Sequence, residues 1–296
     1  ALRWFVGLNL DQQPWDASTF SQNRRRRFDE SGVLERLFDE TVKRAMAEGL
    51  VSRHVSADGT LVRANASYKS FLPIEVALDP EEYKRRLRRD DHGDPDGPAD
   101  PGNRAVNFRG EKRSNATHRS LTDPDCRFVS KGASGTGAYP GYTVNALMEN
   151  RYRVLLGLDA EIYRSSASET AGCLALLRRA KRRLRFTPRT LGADKGFFSE
   201  AFIEALFKRD IEPHIAVDAR NRRPAHARVR MRVRGLGYRL SQRCRKKIEE
   251  LFGEGKDWHG LRRFRRRGLA RVRQETYLIG WVLNLKRLAR AQLQPV

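Results

Sequence analysis

From Gly141 to Val217 the chain alternates short apolar runs with helical ones, and that order leaves few folds open. Gly141–Met148 and Val154–Ile162 read as two strands, with the charged Glu149-Asn150-Arg151 between them as a hairpin turn. Ser168 is expected to cap a helix running to about Arg182, which leads into a strand at Thr190–Asp194 that stops at the turn Lys195-Gly196-Phe197. A helix from Ser199 to Lys208 and a strand at Pro213–Val217 follow. Upstream, His54–Val62 alternates as a strand should. Strand, hairpin strands, helix, strand, helix, strand, helix is an α/β order, consistent with a mixed sheet flanked by helices. No internal repeat is visible.

The flanks are less regular. Residues 1–50 read as an N-terminal helical region. Asp16-Ala17-Ser18-Thr19-Phe20 starts a helix, and Val33, Leu34, Leu37, Phe38, Val42 and Ala45 recur at helical spacing. Arg24–Arg27 place four positive charges together, as a phosphate-facing patch or a solvated turn. Residues 73–120, with Asp90-Asp91-His92-Gly93-Asp94-Pro95-Asp96-Gly97-Pro98, have turn formers and charge but almost no apolar periodicity, and read as a flexible insertion. The acidic loop around His92 is read as solvated, not as a metal site. Tyr277–Leu288 reads as a buried helix, too short to span a bilayer. The chain opens on Ala1 and runs directly into Leu2-Arg3-Trp4-Phe5, so sequence is expected to precede it.

Charge points to the partner. The 296 residues carry a net charge of +23. From residue 219 to 296 there are 23 Lys and Arg against 5 Asp and Glu, a balance of +18. A stretch so basic suits a polyanion such as nucleic acid, because Lys and Arg displace condensed counterions from phosphates, with a solvated basic face or an anionic membrane surface as the alternatives. Cys126, Cys173 and Cys244 lie far apart without a CxxC pair, and read as reduced thiols of a cytoplasmic protein.

Against this basic background three acidic residues sit where a carboxylate can be aimed at a cation: Asp58 in a strand, Asp194 at a strand end and Glu249 on a helix. Grouped carboxylates repel, and a divalent cation among them makes their ionised forms tolerable. On the helix, Arg245, Glu249 and Lys256 fall within roughly 40° of one another at about 100° per residue. Glu250 points away, and Ile248, Leu251 and Phe252 form an adjoining apolar face that seats the helix. One helix would thus present an acidic ligand flanked by two phosphate-binding cations.

These stretches together resemble the DDE transposases of bacterial insertion sequences. The matching segments are Val55–Val62 with Ala66–Phe71, Thr122-Asp123-Pro124-Asp125, Thr190–Phe197, Pro213–Ala216, and Arg245–Gly253 followed by Lys256. The resemblance covers nearly the whole chain. It implies a ribonuclease-H-like catalytic domain over residues 51–296, with a basic helical C-terminus, after a DNA-binding region at 1–50. It further implies an enzyme using two Mg²⁺ ions, with Mn²⁺ able to substitute, that cleaves at element ends and transfers strands into target DNA. Asp58, Asp194 and Glu249 would be the catalytic metal ligands. Arg245 and Lys256, with the arginine cluster Arg262, Arg263, Arg265, Arg266 and Arg267, would bind DNA. The family's helix signature has Tyr where this chain has Gln242. The expected partners are double-stranded DNA, as inverted repeats and target, and a second copy assembled on it; the expected place is the bacterial nucleoid. A nuclease of the same fold without strand transfer, and an inactive DNA-binding remnant, are the alternative readings.

Overall fold

The run His54–Arg63 forms the central strand of a six-stranded sheet. The computed structural model describes residues 7–9, 11–28, 31–74, 107–108, 111–130, 137–165, 168–218 and 223–293. Its strands are β1 (His54–Arg63), β2 (Phe71–Pro73), β3 (Asn107–Phe108), β4 (Glu111–Lys112), β5 (His118–Ser120), β6 (Arg127–Val129), β7 (Tyr139–Glu149), β8 (Leu155–Glu161), β9 (Thr190–Ala193) and β10 (Glu212–Ile215). Its helices are α1 (Ala17–Asn23), α2 (Val33–Ala47), α3 (Ser168–Leu184), α4 (Glu200–Phe207), α5 (Pro224–Arg230), α6 (Leu236–Trp258) and α7 (Leu269–Leu293).

β1 has partners of opposite sense. It pairs antiparallel with β7, from Val55↔Glu149 to Arg63↔Gly141, and parallel with β9 through His54↔Thr190, Val55↔Leu191 and Ser56↔Gly192. β10 adds parallel to β9, while β8 and β6 pair antiparallel with β7. The hairpin β7–β8 needs only a tight turn, but the parallel strands need crossovers, which α3 and α4 provide. Three antiparallel strands followed by two parallel ones, in the order β8-β7-β1-β9-β10, make the ribonuclease-H-like arrangement. All but the first residue of β7 are buried, because helices cover both faces of the sheet and no side chain is left to alternate into water.

Two glycines show which helix lies on which face. A Cβ on Gly59 would come 2.7 Å from Glu169 of α3, whereas one on Gly192 would meet Ser241 of α6 at 2.8 Å and Ser56 at 3.3 Å. Even-numbered residues of β1 therefore face α6, and odd-numbered ones face α3.

α2 and α7 close the far side. At their crossing a Cβ on Gly280 would stand 2.8 Å from the fully buried Phe38. Asn284 accepts from the Leu155 amide at 2.8 Å and donates to the Leu155 carbonyl at 2.9 Å, covering part of the exposed edge of β8. Buried Asp39 of α2 receives Arg179 at 2.6 Å and Arg183 of α3, which ties the N-terminal helices to the core. All three cysteines are free thiols. Among the described residues, no helix is long and apolar enough to cross a membrane.

Some expectations need correction. Ser168 is the first residue of its helix, and its hydroxyl accepts from the Arg164 and Ser165 amides, holding the preceding turn instead of capping. The insertion expected over 73–120 is folded at its end, where β5 pairs with β2 from Phe71↔Ser120 to Pro73↔His118. A two-residue ladder also joins β3 to β4. The acidic loop around His92 lies outside the described residues.

Candidate active site

The side chains of Ser56, Asp58 and Thr60 share the face of β1 covered by α6. The β1–β9 ladder ends at Ser56↔Gly192; Asp58 lies two residues beyond it on β1 and Asp194 two residues beyond it just past β9, so both acids stand at the same end of the paired strands. Asp194 directly follows β9 and caps the 3₁₀ turn Lys195–Phe197, accepting from the Gly196 amide at 2.8 Å. Asp58 accepts from the Gly59 amide at 2.8 Å. The Lys195 ammonium stands 3.2 Å from Asp218.

α6 brings the other charges. Ile248, Leu251 and Phe252 are buried against the sheet, as their helical spacing requires. Arg245 donates to Glu249 at 3.3 Å one turn on; the Arg245 side chain is 16% exposed and that of Glu249 61%. The Arg245 Nε is buried without an acceptor. Lys256 donates to Thr60 at 2.6 Å, two residues beyond Asp58 on the same strand face. Glu250 points away as expected, pairing with Lys247 at 2.8 Å and Arg153 at 3.0 Å.

Burial, opposed by the Gly59 amide, pushes the Asp58 carboxyl up to about 6; the negative charges of Asp194 and Glu249 add to the rise, and Arg245 counters it. The three acids thus share one electrostatic neighbourhood. They do not form a closed cluster: among the described residues, no three His, Cys, Asp or Glu side chains are grouped closely enough to hold a metal ion. Glu249 is turned to Arg245 in this arrangement.

The arginine segment is bound to the end of β1. The Arg63 amide donates to the Arg262 carbonyl at 3.3 Å, and the Phe264 amide to the Arg63 carbonyl at 2.9 Å. Asn65 donates to the Arg265 carbonyl at 2.7 Å and accepts at its own carbonyl from Arg267 at 2.9 Å. Phe264 is buried edge-on to Tyr142, which leaves Arg263, Arg265 and Arg267 on the outside. Arg262 pairs with Asp257, and Arg266 donates to Gln274 at 3.0 Å.

A cleft of about 630 Å³ opens beside this segment, and Arg24, Asn65, Arg265, Arg266, Arg267 and Arg271 line it. Arg24, from the N-terminal arginine run, reaches the same cleft as the C-terminal cluster. In the sequence the two are separate patches, since nothing local links residues about 240 positions apart.

The Asp123 and Asp125 motif has a structural task that its sequence does not announce. Buried Asp123 accepts from the Tyr142 hydroxyl at 2.5 Å and from the Gly268 amide at 3.0 Å, and Asp125 accepts from the Leu269 amide at 2.8 Å. The two carboxylates cap the start of α7 immediately after the arginines.

A family profile described as Transposase DDE domain matches residues 96–285, which include Asp194 and Glu249 while Asp58 precedes them. No curated protein matches the chain. Among solved structures, a chain of the simian T-cell lymphotropic virus intasome in complex with PP2A regulatory subunit B56 gamma is 11% identical, at a TM-score of 0.22. That match covers 61% of this chain and 56% of the intasome chain. A pre-cleavage Mos1 transpososome is 10% identical at a TM-score of 0.25, covering 97% of this chain and 67% of that one. The Mos1 mariner paired end complex with Mn is 10% identical at 0.23, covering 97% and 71%. The strand order is ribonuclease-H-like, and the family match spans nearly two-thirds of the residues: the chain belongs to the transposase DDE domain family.

Proposed function

We propose that the chain is a metal-dependent DNA transposase, which cuts at the ends of a bacterial insertion sequence and joins the freed 3′ ends to target DNA. The observation that supports this reading best is the placing of Asp58 on the α6-covered face of β1, at the end of the paired strands where Asp194 follows β9, its carboxyl raised chiefly by burial and further by the charges of Asp194 and Glu249. The donor set fits the chemistry: three carboxylates offer hard oxygen ligands, suited to Mg²⁺ or Mn²⁺ and not to soft metals. Asp58, Asp194 and Glu249 would hold the ions, with Glu249 released from its exposed pairing with Arg245. A pair of divalent cations supplies activation of the attacking oxygen and stabilisation of the leaving oxygen in an in-line displacement.

The remaining tasks belong to the cations of α6 and of the arginine segment. Arg245, with an Nε lacking an acceptor, is set to take a phosphate oxygen beside the acids, and Lys256 is steadied by Thr60 as a point charge on the same face. Arg262, Arg263, Arg265, Arg266 and Arg267 hold the duplex further along. Burial holds the Asp58 carboxyl up to about 6, so it loses its proton as pH rises through that value. The working assembly is a homodimer on paired DNA ends, at the nucleoid of a bacterial cytoplasm.

The deciding experiment incubates the protein with Mg²⁺ or Mn²⁺ and labelled oligonucleotides carrying the inverted repeats that flank its gene. Cleavage followed by joining to a target plasmid is expected. Cleavage without joining would make it a nuclease, and binding without cleavage an inactive remnant.

A further inference from the structure

The inward stripe of α6 changes character halfway along. In its C-terminal half, Ile248, Leu251, Phe252 and Gly255 are buried against the protein. In its N-terminal half, Gly237, Leu240, Ser241 and Cys244 recur at the same core spacing, yet they line a cavity of about 630 Å³. Across it stand His54, Thr190 and His214 from β1, β9 and β10. On two of the residues that line it, Ser241 and His214, the Oγ and Nδ1 atoms are buried without protein partners. Side-chain packing seats this half of the helix at two points, Ser241 over Gly192 and the Tyr238 ring edge-on to His214.

Hydrogen bonds from the neighbouring stripe fix its position further. The Gln242 carboxamide nitrogen donates to the Ala193 carbonyl at 3.2 Å and also to the His214 carbonyl. One turn before it, the Tyr238 hydroxyl donates to the Ile215 carbonyl at 3.2 Å. All three acceptors lie at the C-terminal ends of β9 and β10, and Ala193 is the residue directly before Asp194. Glu249 lies seven residues beyond Gln242, which is about 10 Å along the helix and within about 20° of the same azimuth. Any shift of the helix at Gln242 is carried rigidly to Glu249.

We propose that Gln242 is a positioning residue whose carboxamide, bridging the ends of β9 and β10, sets where Glu249 stands against Asp194 and Asp58. It touches neither the acids nor, on this reading, the DNA. The proposal rests on the metal-dependent function above, and its test separates the two.

Gln242→Met keeps the shape of the side chain and removes the donor, while Gln242→Lys restores a donor of similar reach. Mn²⁺ binding is measured without DNA by electron paramagnetic resonance, alongside kcat and KM on element-end oligonucleotides and Tm. Gln242→Met should weaken Mn²⁺ binding by about 10- to 100-fold and lower kcat by as much as a hundredfold. KM for DNA should stay within about twofold, and Gln242→Lys should recover much of both losses. Tyr238→Phe, which removes one hydroxyl, should produce a smaller shift in the same direction and guards against a Gln242→Met variant that does not fold. Unchanged Mn²⁺ affinity in the variants beside a Mn²⁺-binding wild type would overturn the Gln242 role alone. So would losses that vanish on cooling well below Tm. A wild type that binds no Mn²⁺ would overturn both readings.

Discussion

Asp58→Asn should make the metal-free protein more stable while removing its chemistry. The wild-type carboxyl is raised from 3.8 to about 6, chiefly by burial. Each pH unit in that interval corresponds to about 1.4 kcal/mol, so ionised Asp58 costs the fold on the order of 3 kcal/mol. The sign follows from proton counts. Between 3.8 and 6 the native state holds the proton more often than the unfolded chain, so stability falls as pH rises through that window. Above pH 6 both states are ionised and the full cost is present. Asparagine is neutral, matches the shape, and its Oδ1 can still accept from the Gly59 amide, so the variant escapes the cost without losing the bond. Urea unfolding at about pH 7.5 with a chelator should show the Asp58→Asn variant more stable by about 2–3 kcal/mol, roughly 5–10 °C in Tm for a domain of this size. The advantage should shrink towards zero near pH 4. Added Mn²⁺ should stabilise the wild type and not the variant. A variant no more stable than wild type at that pH would refute the reasoning, because the carboxylate would then carry no cost to relieve.

Asp194→Asn and Glu249→Gln should each abolish strand cleavage while gel-shift affinity for DNA stays within a few-fold, whereas Glu250→Gln, removing only exposed ion pairs worth under about 1 kcal/mol, should cleave normally. Replacing Arg24, Arg265, Arg267 and Arg271 by Gln should weaken binding across all sequences and flatten the dependence of log affinity on log salt by about one for each phosphate no longer neutralised, measured by titration at several salt concentrations. Asp123→Ala should destabilise the protein by about 2–4 kcal/mol in urea unfolding, since it strands the buried Tyr142 hydroxyl and the Gly268 amide. Tyr142→Phe should cost less.

How far the sequence reached depended on how local each signal was. The strands and helices from β7 to β10 could be read to within two residues at each end, because hairpin and crossover patterns are written in neighbouring residues. The orientation of Glu249 and Glu250 followed from helical geometry alone. What escaped was whatever joins distant segments. Arg24 meets Arg271 in one cleft, Asp123 caps a helix that begins about 145 positions later, and Gln242 spans two strand ends. Gln242 was visible only as a departure from the Tyr of the family signature, and its partners are main-chain carbonyls that no side-chain pattern announces. The folded end of the insertion was also missed, because β2 and β5 are three-residue strands too short to show a period.

On the proposed function, the binding of residues 262–267 to the end of β1 would give the protein a built-in measure of length. Arg63, which exchanges main-chain hydrogen bonds with that segment, stands five residues from Asp58 on one continuous strand. At about 3.3 Å per residue that is roughly 17 Å, and a duplex rises about 3.4 Å per base pair. Phosphates held by the arginines would therefore lie about five base pairs from the bond facing Asp58. The position of the cut along the DNA would be inherited from the pitch of a β-strand.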